Sequence, residues 1–144
     1  MKRKATAIWQ GNGPEGKGTL TSTSGVLNDT PYSFVTRFKN EDGLAGTNPE
    51  ELIAAAHSGC YAMALSFMLT NAGFVATELK VTATVTIELI TDHFEITDIH
   101  LDLTGKVPGI TEEKFLEMAG SAKTGCPVSR ALQAVPITLA AKLV

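Results

Sequence analysis

Cysteine is nearly absent from this chain: 144 residues hold only Cys60 and Cys126, 66 positions apart. That excludes a disulfide-stapled scaffold, and a four-ligand zinc site would need His or Asp to complete it. Histidine is scarce too, and of His57, His93 and His100 only His57 lies near a cysteine in sequence. Basic charge is outweighed, with 12 Lys and Arg against 15 Asp and Glu, a net charge of −3 and a pI near 5.6. The basic patch that nucleic acid or an anionic membrane requires is therefore missing, and neither is expected as a partner. Lys2-Arg3-Lys4 opens the chain, but the apolar run after it, Ala5–Trp9, is too short for a secretory signal. A cytoplasmic protein is expected, and in a reducing compartment a catalytic or sensing disulfide is more natural than a structural one. There is no repeat, low-complexity tract or linker. An apolar content of 44% with 19% charged residues fits an ordered single domain over residues 1–144.

One stretch lacks charge altogether. Leu52 to Leu69 has no Asp, Glu, Lys or Arg over 18 residues, the crude length of a membrane span. Its alanines, His57, Ser58, Gly59 and Ser66 dilute the hydrophobicity, and Glu50 and Glu51 flank one end. The better reading is a buried central helix, with no membrane involved. A helix apolar all round must be covered on all sides, and in so short a chain a partner subunit is expected to supply part of that cover.

Lys4–Trp9, Thr19–Ser24 and Tyr32–Phe38 read as strands, rich in Thr, Val and aromatics. The intervening Gly11–Gly18 matches G-x-G-x-x-G and nearly matches a P-loop. Both motifs need a following helix, whereas Thr19–Thr23 alternates like a strand, so the segment reads as a hairpin turn. Lys39–Thr47 is a polar loop. Asn48 can cap a helix with Pro49 in its first turn and Glu50 and Glu51 at the positive end of its dipole. It should run to about Asn71, with Gly73 just beyond and Phe74 packing back.

Thr77–Ile90 alternates Leu79, Val81, Ala83, Val85, Ile87 and Leu89 against Thr and Glu, the mark of a half-buried strand. In the next strand Phe94 and Ile96 are out of phase with Ile99, Leu101 and Leu103, which places a bulge near Thr97-Asp98. Thr111 caps a helix over Glu112–Thr124, Cys126-Pro127 opens a short helix to about Gln133, and Ile137–Leu143 is a last strand. The order predicts an α+β fold of antiparallel hairpins without a βαβ series.

Local chemistry leaves the cysteines open. Cys126 sits at a helix start, where backbone N–H groups and the dipole favour a thiolate, although a cap or small hydrophobe is an equal reading. Cys60, mid-helix among apolar residues, reads as core filler unless a cation reaches it. Arg37, in the strand-like Phe34–Phe38, is the local oddity, although taken alone it reads as a solvent-facing strand residue. A His57–Cys60 dyad for hydrolysis lacks an oxyanion-hole signature, and metal binding by His57, Cys60 and Cys126 is the weakest alternative.

Asn48-Pro-Glu-Glu-Leu-Ile-Ala-Ala-Ala-His-Ser-Gly-Cys60, together with Cys126-Pro-Val-Ser-Arg-Ala-Leu132, closely resembles the OsmC/Ohr family of organic hydroperoxide reductases. The likeness extends to Gly18-Thr19, Ser24–Leu27, Pro31-Tyr32, Thr36–Phe38 and Val107–Ile110, nearly the whole chain. Arg37 in a third strand, with His57, points to the OsmC branch. The resemblance implies an intertwined homodimer, antiparallel sheets wrapping long central helices, with active sites at the subunit interface. It implies Cys60 as peroxidatic thiol, Cys126 as resolving thiol, Arg37 as the group stabilising thiolate and peroxide, and Glu50 as its orienting partner. It also implies reduction of organic hydroperoxides in defence against oxidative and osmotic stress, without metal or other cofactor. An external dithiol, of which a lipoylated protein is the suggested kind, restores the thiols. Ser58-Gly59, where the family more usually has residues such as Ala, are mild departures. Glu50 and Cys60 are ten residues apart, about 15 Å along a straight helix, so a shared site needs Arg37 as a bridge or groups from two chains. Two other classes stay open: a non-catalytic thiol redox sensor, and a dimer that binds apolar ligands.

Overall fold

The computed structural model describes residues 1–40 and 44–144; part of the Lys39–Thr47 loop lies outside the described residues. Contacts divide the chain into two compact units, Met1–Leu52 and Ile53–Val144, within the length read above as a single domain.

In the first unit β1 (Ala5–Gln10), β2 (Lys17–Ser22) and β3 (Thr30–Ser33) form an antiparallel sheet in chain order. Gln10 pairs with Lys17, so the glycine-rich segment is a hairpin loop and not a phosphate cradle. Its glycines are there for space. A side chain at Gly16 would meet the Asn12 carbonyl, and one at Gly18 would meet the Tyr32 ring.

The expected third strand, Tyr32–Phe38, is corrected. It stops at Ser33, and Phe34–Phe38 is a short helix, α1. Ser33 is the cause. Its hydroxyl accepts from the Thr36 amide at 3.1 Å while Thr36 Oγ1 accepts from the Ser33 amide at 2.8 Å, a reciprocal box that turns the chain into a helix. Arg37 therefore stands on a helix.

The long helix α2 (Pro49–Asn71) begins in the first unit and runs through the second. Asn48 Oδ1 accepts from the Glu51 amide at 2.8 Å. At the far end Gly73 takes a positive φ of 85°, the Phe74 amide reaches the Leu69 carbonyl and the Gly73 amide that of Thr70, the paired bonds of a glycine-terminated helix. α2 is long and apolar enough to cross a membrane by length and composition. Its one face, however, is a core face: Tyr61, Leu65 and Leu69 are buried in the second unit, and the Tyr61 hydroxyl donates to the Ala119 carbonyl.

That core lies between α2, the sheet and α3 (Glu112–Gly125), whose Phe115, Met118, Ala119 and Ala122 recur at helical spacing on the buried side. β4 (Glu78–Ile90) and β5 (His93–Lys106) form a long hairpin in which Leu79, Val81, Ala83, Val85 and Ile87 are half-buried between exposed neighbours. Thr86 pairs with Asp98 and Ile87 with Ile96, leaving Thr97 as the bulge residue, where the phase slip placed it.

The expectation of antiparallel sheets throughout is corrected at β6 (Ile137–Leu143), which runs parallel to β5 with Ile99 opposite Ile137. A parallel neighbour requires a crossover, and α3 with the short helix α4 (Pro127–Ala131) supplies it. Strict alternation is the same in parallel and antiparallel strands, so periodicity did not distinguish them.

Candidate active site

The four expected site residues fall into two pairs, one in each unit. Cys60 lies mid-way along α2, half-buried. Cys126 is buried, ends α3 and opens α4: its amide donates to the Ala122 carbonyl and its carbonyl accepts from Arg130. Their sulfurs are 3.0 Å apart and both thiols are free. A disulfide needs them at about 2.05 Å, so a small approach closes the bond.

That distance is a thiol–thiol hydrogen bond, in which either sulfur is able to donate. Burial pushes the Cys60 thiol up, donation to Cys126 pushes it further, and the Val128 amide only partly offsets this. Burial acts the same way on Cys126 but is outweighed there by the bond from Cys60, by the Ser129 amide and hydroxyl and by the Val128 amide, so its pKa is lowered. These amides belong to the first turn of α4, and they favour the charged sulfur without closing a cap bond of ordinary geometry. Within the second unit, then, the surroundings favour charge on Cys126 over Cys60.

In the first unit Arg37 and Glu50 form a two-pronged ion pair, Nε to Oε2 at 3.1 Å and Nη2 to Oε1 at 2.6 Å. The Glu50 side chain is 10% exposed and that of Arg37 34%. A carboxylate buried to that degree requires such a partner. The Phe38 ring lies 4.7 Å beneath the guanidinium. Trp9, Tyr32, Phe34 and Pro49 join Arg37 and Phe38 around a cavity of about 170 Å³ with a largely aromatic lining.

Sequence reasoning singled out His57 as a neighbour of Cys60 but missed its partner. His57 Nε2 lies 2.7 Å from Ser129 Oγ, and both residues are buried. The available signal was positional: Ser129 is three residues after Cys126, as Cys60 is three after His57. Among the described residues no group of three His, Cys, Asp or Glu side chains is arranged to hold a metal ion.

Fold and site together define a paired-thiol α+β protein. A family model described as OsmC-like protein matches residues 40–140. The chain is 48% identical over 134 residues to Peroxiredoxin OsmC of Escherichia coli K12, covering 93% of this chain and 92% of that protein. It is 27% identical over 115 residues to the organic hydroperoxide resistance protein OhrB of Bacillus subtilis, covering 79% of this chain and 80% of the other. Among solved structures, an OsmC-like protein of unknown function from Vibrio cholerae superposes with a TM-score of 0.76 at 14% identity, over 98% and 99% of the two chains, a likeness of fold. The chain belongs to the OsmC family.

Proposed function

We propose that this protein is a cysteine-based peroxidase that reduces organic hydroperoxides to alcohols. Relatives named as a peroxiredoxin and as an organic hydroperoxide resistance protein support a peroxide-related redox role. The observation that carries the thiol mechanism is the sulfur pair: two free thiols 3.0 Å apart, of which Cys126 is fully buried and Cys60 retains exposed surface. A peroxide meets Cys60 first.

In this reading the Cys60 thiolate attacks one peroxide oxygen. The O–O bond breaks, the alcohol leaves, and Cys60 becomes a sulfenic acid. Burial disfavours the charge on Cys60, so a cation must offset it. Arg37 is assigned that role together with hydrogen-bond donation to the developing oxyanion, and Glu50 holds its planar fork in one orientation. Cys126, the buried thiol, then closes a disulfide with Cys60, and an external dithiol reopens it by exchange; a lipoylated protein is one such dithiol. We assign the protein to a reducing, cytoplasmic setting and to a homodimer, the latter supported by the apolar face that α2 leaves exposed, with Met63 at 62% and Phe67 at 65%.

Loss of cumene or tert-butyl hydroperoxide in the presence of a dithiol tests the assignment. Cys60→Ser is expected to abolish turnover, and Cys126→Ser to allow one turnover and then stall. Full turnover by Cys60→Ser overturns the reading.

A further inference from the structure

Two buried polar side chains lie beside the sulfurs and take no part in the chemistry above. His57 is 0% exposed and Ser129 5%, and their 2.7 Å bond joins α2 to α4. The sulfur pair joins the same two elements. Three-residue spacing puts His57 on the Cys60 face of α2 and Ser129 one turn beyond Cys126. The sulfur contact and the polar contact are thus two rungs between one pair of helices.

The tautomer follows from burial. His57 Nδ1 is buried with no partner among the described residues. A ring proton on Nδ1 would be an orphaned N–H, the rarer kind of unsatisfied group, whereas a proton on Nε2 meets Ser129 Oγ. Desolvation keeps the ring neutral by lowering its pKa. Nε2–H therefore donates to Ser129 Oγ, which leaves the hydroxyl proton for another acceptor. The Ser129 hydroxyl is one of the groups that favour charge on Cys126. On α2, Cys60 and Tyr61 are the titratable groups facing Cys126. On α3, Lys123 instead donates to the Ile137 carbonyl at 3.2 Å, and on α4, Arg130 is exposed.

We propose that His57, acting through Ser129, is a positioning residue for Cys126: it aims the Ser129 hydroxyl at the Cys126 sulfur and holds the first turn of α4 against α2. This rests on the reading of Cys126 as the thiol that resolves a Cys60 sulfenic acid. In that step the Cys126 thiolate attacks the Cys60 sulfur. The S–S bond forms, the S–O bond breaks, and hydroxide leaves to become water. Cys126 sulfur is oxidised and Cys60 sulfur reduced by the same electron pair. A hydroxyl donor keeps Cys126 deprotonated for the attack, and a fixed α4 keeps it within reach.

Two measurements test this. In a Cys60→Ser background Cys126 is the only thiol, and ultraviolet thiolate absorbance follows its titration. Adding His57→Leu or Ser129→Ala should raise the midpoint by about one pH unit, while His57→Gln, whose amide N–H reaches toward the same oxygen, should restore it. With Cys60 present and one equivalent of tert-butyl hydroperoxide, His57→Leu should slow disulfide formation about tenfold and let dimedone trap the sulfenic acid, and His57→Gln should recover the rate. An unchanged midpoint and rate in both His57→Leu and Ser129→Ala overturns the proposal. So does a His57→Gln protein as impaired as His57→Leu, which would make His57 a packing residue. Should His57→Leu fail to fold, Ser129→Ala, which removes a single hydroxyl, decides alone. If the wild type forms no sulfenic acid at Cys60, the peroxidase reading fails, and the Cys126 titration still decides the role of His57.

Discussion

Chemistry in this chain is set by a few side chains whose surroundings push them from their ordinary states. Cys60 and Cys126 are chemically identical, and burial acts on both in the same direction. They differ because the bond between them raises Cys60 and lowers Cys126, and because Cys126, at a helix start, also has the Ser129 amide and hydroxyl beside it, whereas the Val128 amide acts on both. His57 is the third perturbed group. Its folded pKa lies below the ordinary value of about 6.5. As pH falls through 6.5 the unfolded chain takes up a proton that the folded protein refuses. Stability is therefore lost on acidification, until the depressed folded pKa is reached. Urea midpoints measured from pH 7.5 downward should show this loss, at up to about 1.4 kcal/mol per pH unit, and His57→Gln should flatten it. His93, with its pKa raised by Asp92 and then Glu95, contributes in the opposite sense and is common to both proteins, so the difference between the two profiles isolates His57. Both cysteines and His57 were legible in the sequence as candidates. Ser129 was not, because its partner is 72 residues away and only the fold joins them.

At the scale of elements, the long helix α2 carries Glu50, His57 and Cys60, and the short helices α1 and α4 bring Arg37 and Ser129 to meet them. α1 is five residues long and holds Arg37. So short a helix is not stable by itself, and the Ser33–Thr36 box is what turns the chain there. Ser33→Ala should cost about 1 kcal/mol of stability in urea denaturation, and should lower hydroperoxide turnover as the Arg37–Glu50 fork loosens. Unaltered turnover would show that Arg37 is placed by Glu50 alone. The long elements were readable because their patterns repeat: β4 alternates over thirteen residues, and α2 is bounded by Asn48 and Gly73. α1 spans barely more than one helical turn, too few residues to show a period, and its Phe, Val and Thr content resembles a strand. The parallel placement of β6 was hidden for another reason. Alternation reports only burial on one face, and the sole sign of direction was the length of the helical connection through α3 and α4.

For the whole molecule, the exposed face of α2 is the feature a single chain does not account for. Met63 and Phe67 lie one turn apart on a helix whose opposite face is packed into the core. Burying such side chains is worth roughly 1.5–3 kcal/mol each, which is the driving force expected of a homodimer seam. Native mass spectrometry should find twice the chain mass of 15.2 kDa, and Phe67→Glu should shift the protein toward the single chain. A wild-type monomer at micromolar concentration would remove the second copy from the account.

The central claim is that Cys60 and Cys126 act as one unit, the first taking oxygen from a peroxide and the second closing the disulfide. It is tested most directly by intact and peptide mass spectrometry after one equivalent of cumene hydroperoxide. The account predicts loss of two hydrogens per chain, a Cys60–Cys126 cross-linked peptide, and a single oxygen gained at Cys60 in Cys126→Ser. An unchanged mass, or an oxygen retained at Cys60 while Cys126 stays reduced in the wild type, would contradict it.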